Sequence, residues 1–206
     1  MLALQKNYSI ALVALAVAVV STPLLAQPGE REAPRLRNDC RLAAQVLQTG
    51  HPAPRRDWAL DAIRRCDDSG PQVLAEVWRS AVPSDPERLA ELFNASRDFN
   101  DRRVVDAVAD LARRTEAPET ARIYALTLLY SYAVPGLYID TDDLLSGRRP
   151  SIGSVSHDTR AHETRAALGD LRPEMSTLLA DIAGAERETR VGTAAATVLR
   201  YLRASP

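Results

Sequence analysis

Three groups of residues in this chain have side chains able to do chemistry. The two cysteines are Cys40 and Cys66, and an even count in an exported chain favours a disulfide, with two buried thiols as the alternative. Asp140-x-Asp142-Asp143 places three carboxylates within four positions, the oxygen ligands that calcium uses. The run lacks the glycine and distal glutamate of an EF-hand loop, and capping of a short helix at Thr141-Asp142 competes with it. His157-Asp158 and His162-Glu163 offer zinc-ligand types. On a helix, residues five apart pair poorly, because i and i+4 share a face. Asp140, Asp142, Asp143, His157 and His162 thus stand as a weak metal alternative beside an expectation of no metal and no cofactor. His51, the histidine nearest the cysteines, falls in a loop at the opposite end of their hairpin. The sequence holds no Ser–His–Asp set, glycine-rich phosphate loop or Cys-x-x-Cys, so no catalytic residue is assigned.

These residues belong to a chain of 206 residues, about the size of one domain. Hydrophobic residues make up 46% and charged residues 26%, which argues for a globular chain over a disordered one. The formal net charge is −1. No cationic field is present to collect phosphates, so nucleic acid is not an expected partner. Residues 1–26 read as a secretory signal peptide: Lys6, the apolar run Ile10–Val20, a polar break at Ser21-Thr22-Pro23, and Ala26. That run of 11 residues is about half of the ~20 needed to span a bilayer. An uncleaved anchor is the alternative. No later segment is long and apolar enough to span. The expectation is a periplasmic or secreted protein without membrane contact after cleavage. Residues 27–37, with two prolines and five charges, read as a disordered leader.

From Asn38 onward, caps and apolar periodicity recur together. Asn38-Asp39 opens a helix over Cys40–Gln48, and a second runs from Arg55 to Cys66. Ser69 caps a third near Pro71, a residue suited to the first turn because its missing N–H needs no partner there. Ser84-Asp85-Pro86 repeats the device for a fourth helix, to Asp98. Asn100-Asp101 opens a fifth, to Arg114, and Pro118-Glu119 a sixth, to Ala133. Arg172-Pro173-Glu174 opens a seventh, to Ala183, and Glu188–Arg203 is the eighth. Antiparallel pairing of the first two helices sets Cys40 beside Cys66. A bridge closing their 26-residue separation stabilises by about 3 kcal/mol in the chain-entropy model.

The even-numbered helices resemble one another. Arg56-x-x-Ala59-Leu60-x-Ala62-Ile63 superposes on Arg122-x-x-Ala125-Leu126-x-Leu128-Leu129 at an offset of 66, twice 33. The offset of 33 lands on Leu89, Leu92, Phe93 and Ala95, a looser match. A period of this size with two helices per unit is the mark of an α-solenoid. Pro118-Glu119-Thr120-Ala121-Arg122 with the residues that follow resembles the second helix of a HEAT-type repeat. Glu188-Thr189-Arg190-Val191 with its alanine run does so too. The resemblance covers about 38–133 and 172–204, in four units. The second unit matches poorly, and residues 134–171 interrupt the series. Tetratricopeptide and other helical-hairpin repeats share the same physics. The resemblance implies an all-α fold, a right-handed α-α superhelix of about four hairpins over 38–204, with a long irregular insertion before the last.

It also implies a protein whose class is built of scaffolds and partner-binding surfaces. The few enzyme-like relatives, chiefly DNA-repair and chromophore-lyase proteins, fit an exported, non-basic chain poorly. The polar stripes of the second helices are then the contact surface. They are Asp57, Asp61, Arg64 and Asp68; Glu87, Glu91, Asn94 and Asp98; Thr120, Tyr124, Thr127 and Ser131; Arg190, Thr193, Thr197 and Arg200. The residues singled out for partner contact are Arg64, Tyr124, Thr127, Ser131, Arg190, Thr193, Thr197 and Arg200. The expected function is binding of another protein or peptide without catalysis, with self-association through the last helix open. The alternative is a metal-dependent or enzymatic module seated in 134–171, a stretch expected to hold a short hairpin or helical turn.

Overall fold

The computed structural model describes residues 28–49, 56–66, 69–80, 82–97, 99–154 and 158–205. The expected signal segment lies outside them. Among the described residues, ten helices and two short strands follow in order: α1 (Pro28–Thr49), α2 (Arg56–Ile63), α3 (Ser69–Ser80), α4 (Pro86–Arg97), α5 (Arg102–Arg113), α6 (Glu119–Ala133), β1 (Leu137–Ile139), α7 (Thr141–Leu145), β2 (Ile152–Ser154), α8 (Asp158–Leu168), α9 (Arg172–Ala185) and α10 (Arg190–Ala204). The described chain is mostly helical, in keeping with the all-α class.

The helix starts follow from local chemistry. Asp101 caps α5 by accepting from the Arg103 N–H at 2.8 Å, and Thr189 caps α10 by accepting from the Gly192 N–H at 3.0 Å. The Arg88 N–H donates to Asp85, with Pro86 at the first helical position of α4. Each cap satisfies an N–H that the first turn leaves without an intrahelical acceptor. α1 departs from expectation. It begins at Pro28, so residues 28–37 are helical and not a disordered leader. Proline fits a first helical position because no acceptor exists there for the N–H it lacks. Cys40 consequently lies in the interior of α1, not at its start.

α1 packs on α2 and α3, α3 on α5, α2 on α4, and α4 on α6. α6 in turn meets α5, α7, α9, α10 and β1, and α9 packs on α10. Thus α1, α3 and α5 touch in succession, as do α2, α4, α6 and α10. α5 shows how one face is spent on this packing. Val104, Val105, Val108, Leu111 and Ala112 are buried while Arg102, Arg103, Asp110 and Arg113 face solvent. α6 is different, since every residue from Ala121 to Ala133 is buried. A helix apolar on all sides is the expected occupant of a core position. Trp78 of α3 is also core. Its indole N–H donates to the Ser96 hydroxyl at 2.8 Å, and the Tyr132 hydroxyl donates to the Ser96 carbonyl at 2.6 Å.

Two long-range ties close the fold. Cys40 and Cys66 form a disulfide with their Cα atoms 5.8 Å apart, fastening α1 to the chain just past α2. At the other end Arg122 is only 3% exposed. Its Nη1 and Nη2 donate to the two carboxylate oxygens of Glu186 at 2.8 and 2.5 Å, and its Nε donates to the Ala112 carbonyl at 3.0 Å. This charge-assisted fork binds α6 to the α9–α10 turn. The turn is tight, because a Cβ at Gly192 would overlap the Glu186 carbonyl.

The segment after α6 folds back over it. β1 and β2 pair antiparallel, with Tyr138 opposite Gly153. Between them α7 is capped by Asp140, which accepts from the Asp142 N–H at 2.9 Å and the Asp143 N–H at 3.4 Å. The hydroxyls of Thr127 and Thr141 meet at 2.9 Å, fixing α7 to α6. The Tyr201 hydroxyl donates to the Pro150 carbonyl at 2.9 Å, fixing the same segment to α10. The long insertion, expected to hold a short hairpin or helical turn, contains the β1–β2 hairpin, the capped turn α7, and α8.

Candidate functional site

α4 presents Ala90, Phe93, Asn94 and Arg97 to one side of a small open cleft. α6 supplies Tyr124 at its floor, and β1 with the start of α7 supplies Tyr138, Ile139, Asp140, Thr141 and Asp142. The volume is about 190 Å³. That is below the roughly 300–1,000 Å³ of small-molecule sites and suits a single side chain.

The cleft is walled by rings. Phe93 and Tyr124 meet edge to face, with centroids 6.0 Å apart and planes at 67°, an arrangement that aligns ring edge and ring face favourably. The Arg97 guanidinium lies 6.0 Å from the Phe93 centroid and 5.5 Å from the Tyr138 centroid, within cation–π range of both. The Arg97 Nε is buried without an acceptor among the described residues. On its other side Tyr138 covers Gly153, where a Cβ would fall inside the ring. Glycine at that position is what lets the ring lie flat across the strand pair.

The three aspartates divide. Asp143 turns away from the cleft to Arg148 Nε at 2.9 Å and to the Ser151 N–H and hydroxyl at 3.1 and 3.2 Å. The Ser151 N–H, then Arg148, hold its carboxyl below the usual range. Asp140 and Asp142 stay at the rim, and among the described residues neither forms an ion pair. Tyr124 is 5% exposed, and its hydroxyl has no hydrogen-bond partner among the described residues. Burial raises its pKa first, and the negative charges of Asp142 and Asp140 raise it further. The phenol stays neutral and sits in a negative field.

The residues singled out from sequence do not converge. Tyr124, Thr127 and Ser131 were expected on an exposed stripe, and all three are buried. The reason is the returning segment: β1 and α7 cover that face of α6. Thr127 donates to the Tyr124 carbonyl at 3.0 Å and Ser131 to the Thr127 carbonyl at 3.2 Å. Of the three, Tyr124 lines the cleft described above. Arg64 is exposed beyond α2, paired with Asp61 at 3.2 Å. Arg190, Thr193 and Thr197 do come together, lining a second hollow of about 220 Å³ with Leu144, Gly147 and Arg148. Its cations are engaged, Arg190 with Glu119 at 2.9 Å and with the Leu145 carbonyl, Arg148 with Asp143. Arg200 is exposed on α10 and lines neither hollow. A third hollow, of about 470 Å³, is larger and lies among Ala133, Pro135, Arg165, Gly169, Asp170 and Arg172. It shows no buried polar group turned inward. His157 and the side chain of His162 lie outside the described residues. Among the described residues no three His, Cys, Asp or Glu side chains stand where they could hold one ion, and no helix is long and apolar enough to cross a membrane.

Sequence reasoning missed Arg97 and the part played by Tyr138. Their signal was available in the spacing of Phe93 and Arg97, one helical turn apart at i and i+4. Comparison with family models, with curated proteins and with solved structures finds no match for this chain.

Proposed function

We propose that this chain is an exported helical-repeat scaffold, a right-handed superhelix of about four HEAT-like hairpins, that binds another protein or a peptide. The observation that carries the reading is the cleft between α4, α6 and the β1–α7 segment. It is an open, ring-walled hollow on a row of stacked helices, sized for a side chain, not for a metabolite. The succession α1, α3, α5 beside α2, α4, α6, α10 supports the repeat architecture. The Cys40–Cys66 bridge supports an oxidising compartment, in agreement with the signal-like pattern of residues 1–26. The partner's contact runs along α4 and the rim of α7.

The test is site-specific photocrosslinking in the native compartment. A photoreactive residue at Asn94, exposed on the cleft wall, should capture one discrete partner. The same residue at Arg113, exposed on α5, should capture little. Equal yields at the two positions, or none at Asn94, would overturn the proposal.

A further inference from the structure

Tyr124 is the unusual residue of the cleft. The residue is 5% exposed, its hydroxyl meets no protein partner among the described residues, and it lines an open hollow, so its oxygen is left to whatever enters that hollow. The carboxylates of Asp142 and Asp140 put it in a negative field. Arg97, the cation in the same wall, is held over the rings of Phe93 and Tyr138 and pairs with neither aspartate. The hollow therefore offers one phenol oxygen and two carboxylates, and among the described residues no cation is paired with either carboxylate. A group that completes it must donate several hydrogen bonds from a compact positive centre.

Resting on the scaffold reading above, we infer that this cleft receives the side-chain ammonium of a lysine presented by the partner. An ammonium has three donors that can reach three separate acceptors, here Tyr124 Oη, Asp140 and Asp142. A guanidinium is a planar fork best matched by one carboxylate taken bidentate. The four-carbon stem of lysine packs against Phe93 and Tyr138 while the head meets the acceptors. The lysine comes from another molecule, since Lys6 is the single lysine of this chain and lies in the expected signal segment.

The experiment is an NMR titration of the full chain, following the backbone amides of Asn94 and Asp140–Asp142. The probes are a blocked Gly-Gly-Lys-Gly-Gly peptide, its norleucine and arginine counterparts, and calcium chloride alone. The lysine peptide should give saturable shifts, and norleucine, which lacks the charge, should bind at least about tenfold more weakly, as should the lysine peptide to Tyr124→Phe. Asp142→Asn, at an exposed position, should weaken it about threefold, and binding should fall with added salt. Equal response to lysine and norleucine, preference for arginine, or calcium saturating the same amides and blocking the peptide would each overturn the inference. Tyr124→Phe keeps the ring and removes only the hydroxyl, and Asp142→Asn guards against a folding artefact at that buried site. If crosslinking at Asn94 captures the partner equally in wild type and Tyr124→Phe, the lysine inference fails and the scaffold reading stands. If crosslinking fails in the wild type, the scaffold reading itself falls.

Discussion

Deleting one member of the Arg122–Glu186 pair should cost more than any surface change in this protein. Arg122 is 3% exposed, and each of its three guanidinium nitrogens donates to a protein acceptor. Arg122→Ala strands the Glu186 carboxylate and removes a buried stem, a loss of about 3–5 kcal/mol by analogy with broken buried pairs. That is a large share of the roughly 5–15 kcal/mol that holds a domain together. Glu186→Gln keeps the shape and one acceptor, so its cost is smaller, about 1–3 kcal/mol. Replacing both residues with Met removes both charges and should cost far less than the sum of the single Met variants, because neither partner is left buried alone. Urea unfolding of the two Met variants, the double and the wild type forms a complete cycle, and additive costs would refute the reasoning. The pair also fixes a pH dependence. The hydrogen bonds from Arg122 hold the Glu186 carboxyl below its ordinary value of 4.5. A carboxyl lowered in the folded state contributes in full above its unfolded value and loses that contribution as pH falls through the folded one. The wild type should therefore lose stability below about pH 4.5 more steeply than Glu186→Gln, which is the weaker of the two at neutral pH.

Other expectations follow from single contacts. Replacing Cys40 and Cys66 together with Ser should lower unfolding free energy by about 3 kcal/mol, and reductant should lower the melting temperature of the wild type but not of the variant. Gly153→Ala places a methyl inside the Tyr138 ring and should cost about 1–3 kcal/mol, with loss of ring-current shifts on Arg97 protons by NMR; an unchanged spectrum would contradict the packing. Asp140→Ala should cost about 0.5–2 kcal/mol through loss of the α7 cap, while Asp140→Asn, which can still cap, should cost little in a thermal melt. Trp78→Phe removes the donor to Ser96 and leaves a void, costing about 2–4 kcal/mol in urea unfolding followed by tyrosine fluorescence.

What could be read from sequence is what the chain decides locally. Asn100-Asp101 and Ser84-Asp85-Pro86 announce helix starts because the cap and its N–H partners lie within three residues of one another. The Cys40–Cys66 pairing was legible because two antiparallel helices run side by side, although Cys40 lies within α1 and not at its start. α1 was misread at its start because the prolines and charges of 27–37 carry the composition of a loop. The larger miss concerns Thr127 and Ser131. Helical spacing assigns them to one stripe, but their burial depends on β1 and α7 returning over α6, a contact that periodicity does not encode. The near-uniform apolar character of α6 was the available sign that it had no solvent face. Arg122 and Glu186 are 64 positions apart, and nothing local connects them. Tyr124 was selected as a surface residue and is a buried one, yet it reaches the cleft because α4 and β1 stop short of covering it.

A helix enclosed on every side has a mechanical consequence. In a simple stacked array each unit leans only on its neighbours, so the ends can fray while the middle holds, and units can be gained or lost. Here α6 touches α4, α5, α7, α9, α10 and β1, so the segment after it cannot detach without uncovering a helix buried from Ala121 to Ala133. The region from α4 to α10 should open and close as one cooperative block, with amide exchange of α6 at the global rate. Fraying belongs to α1 and α2, which among the described residues have stacked neighbours on one side only, and that is the end carrying the covalent bridge.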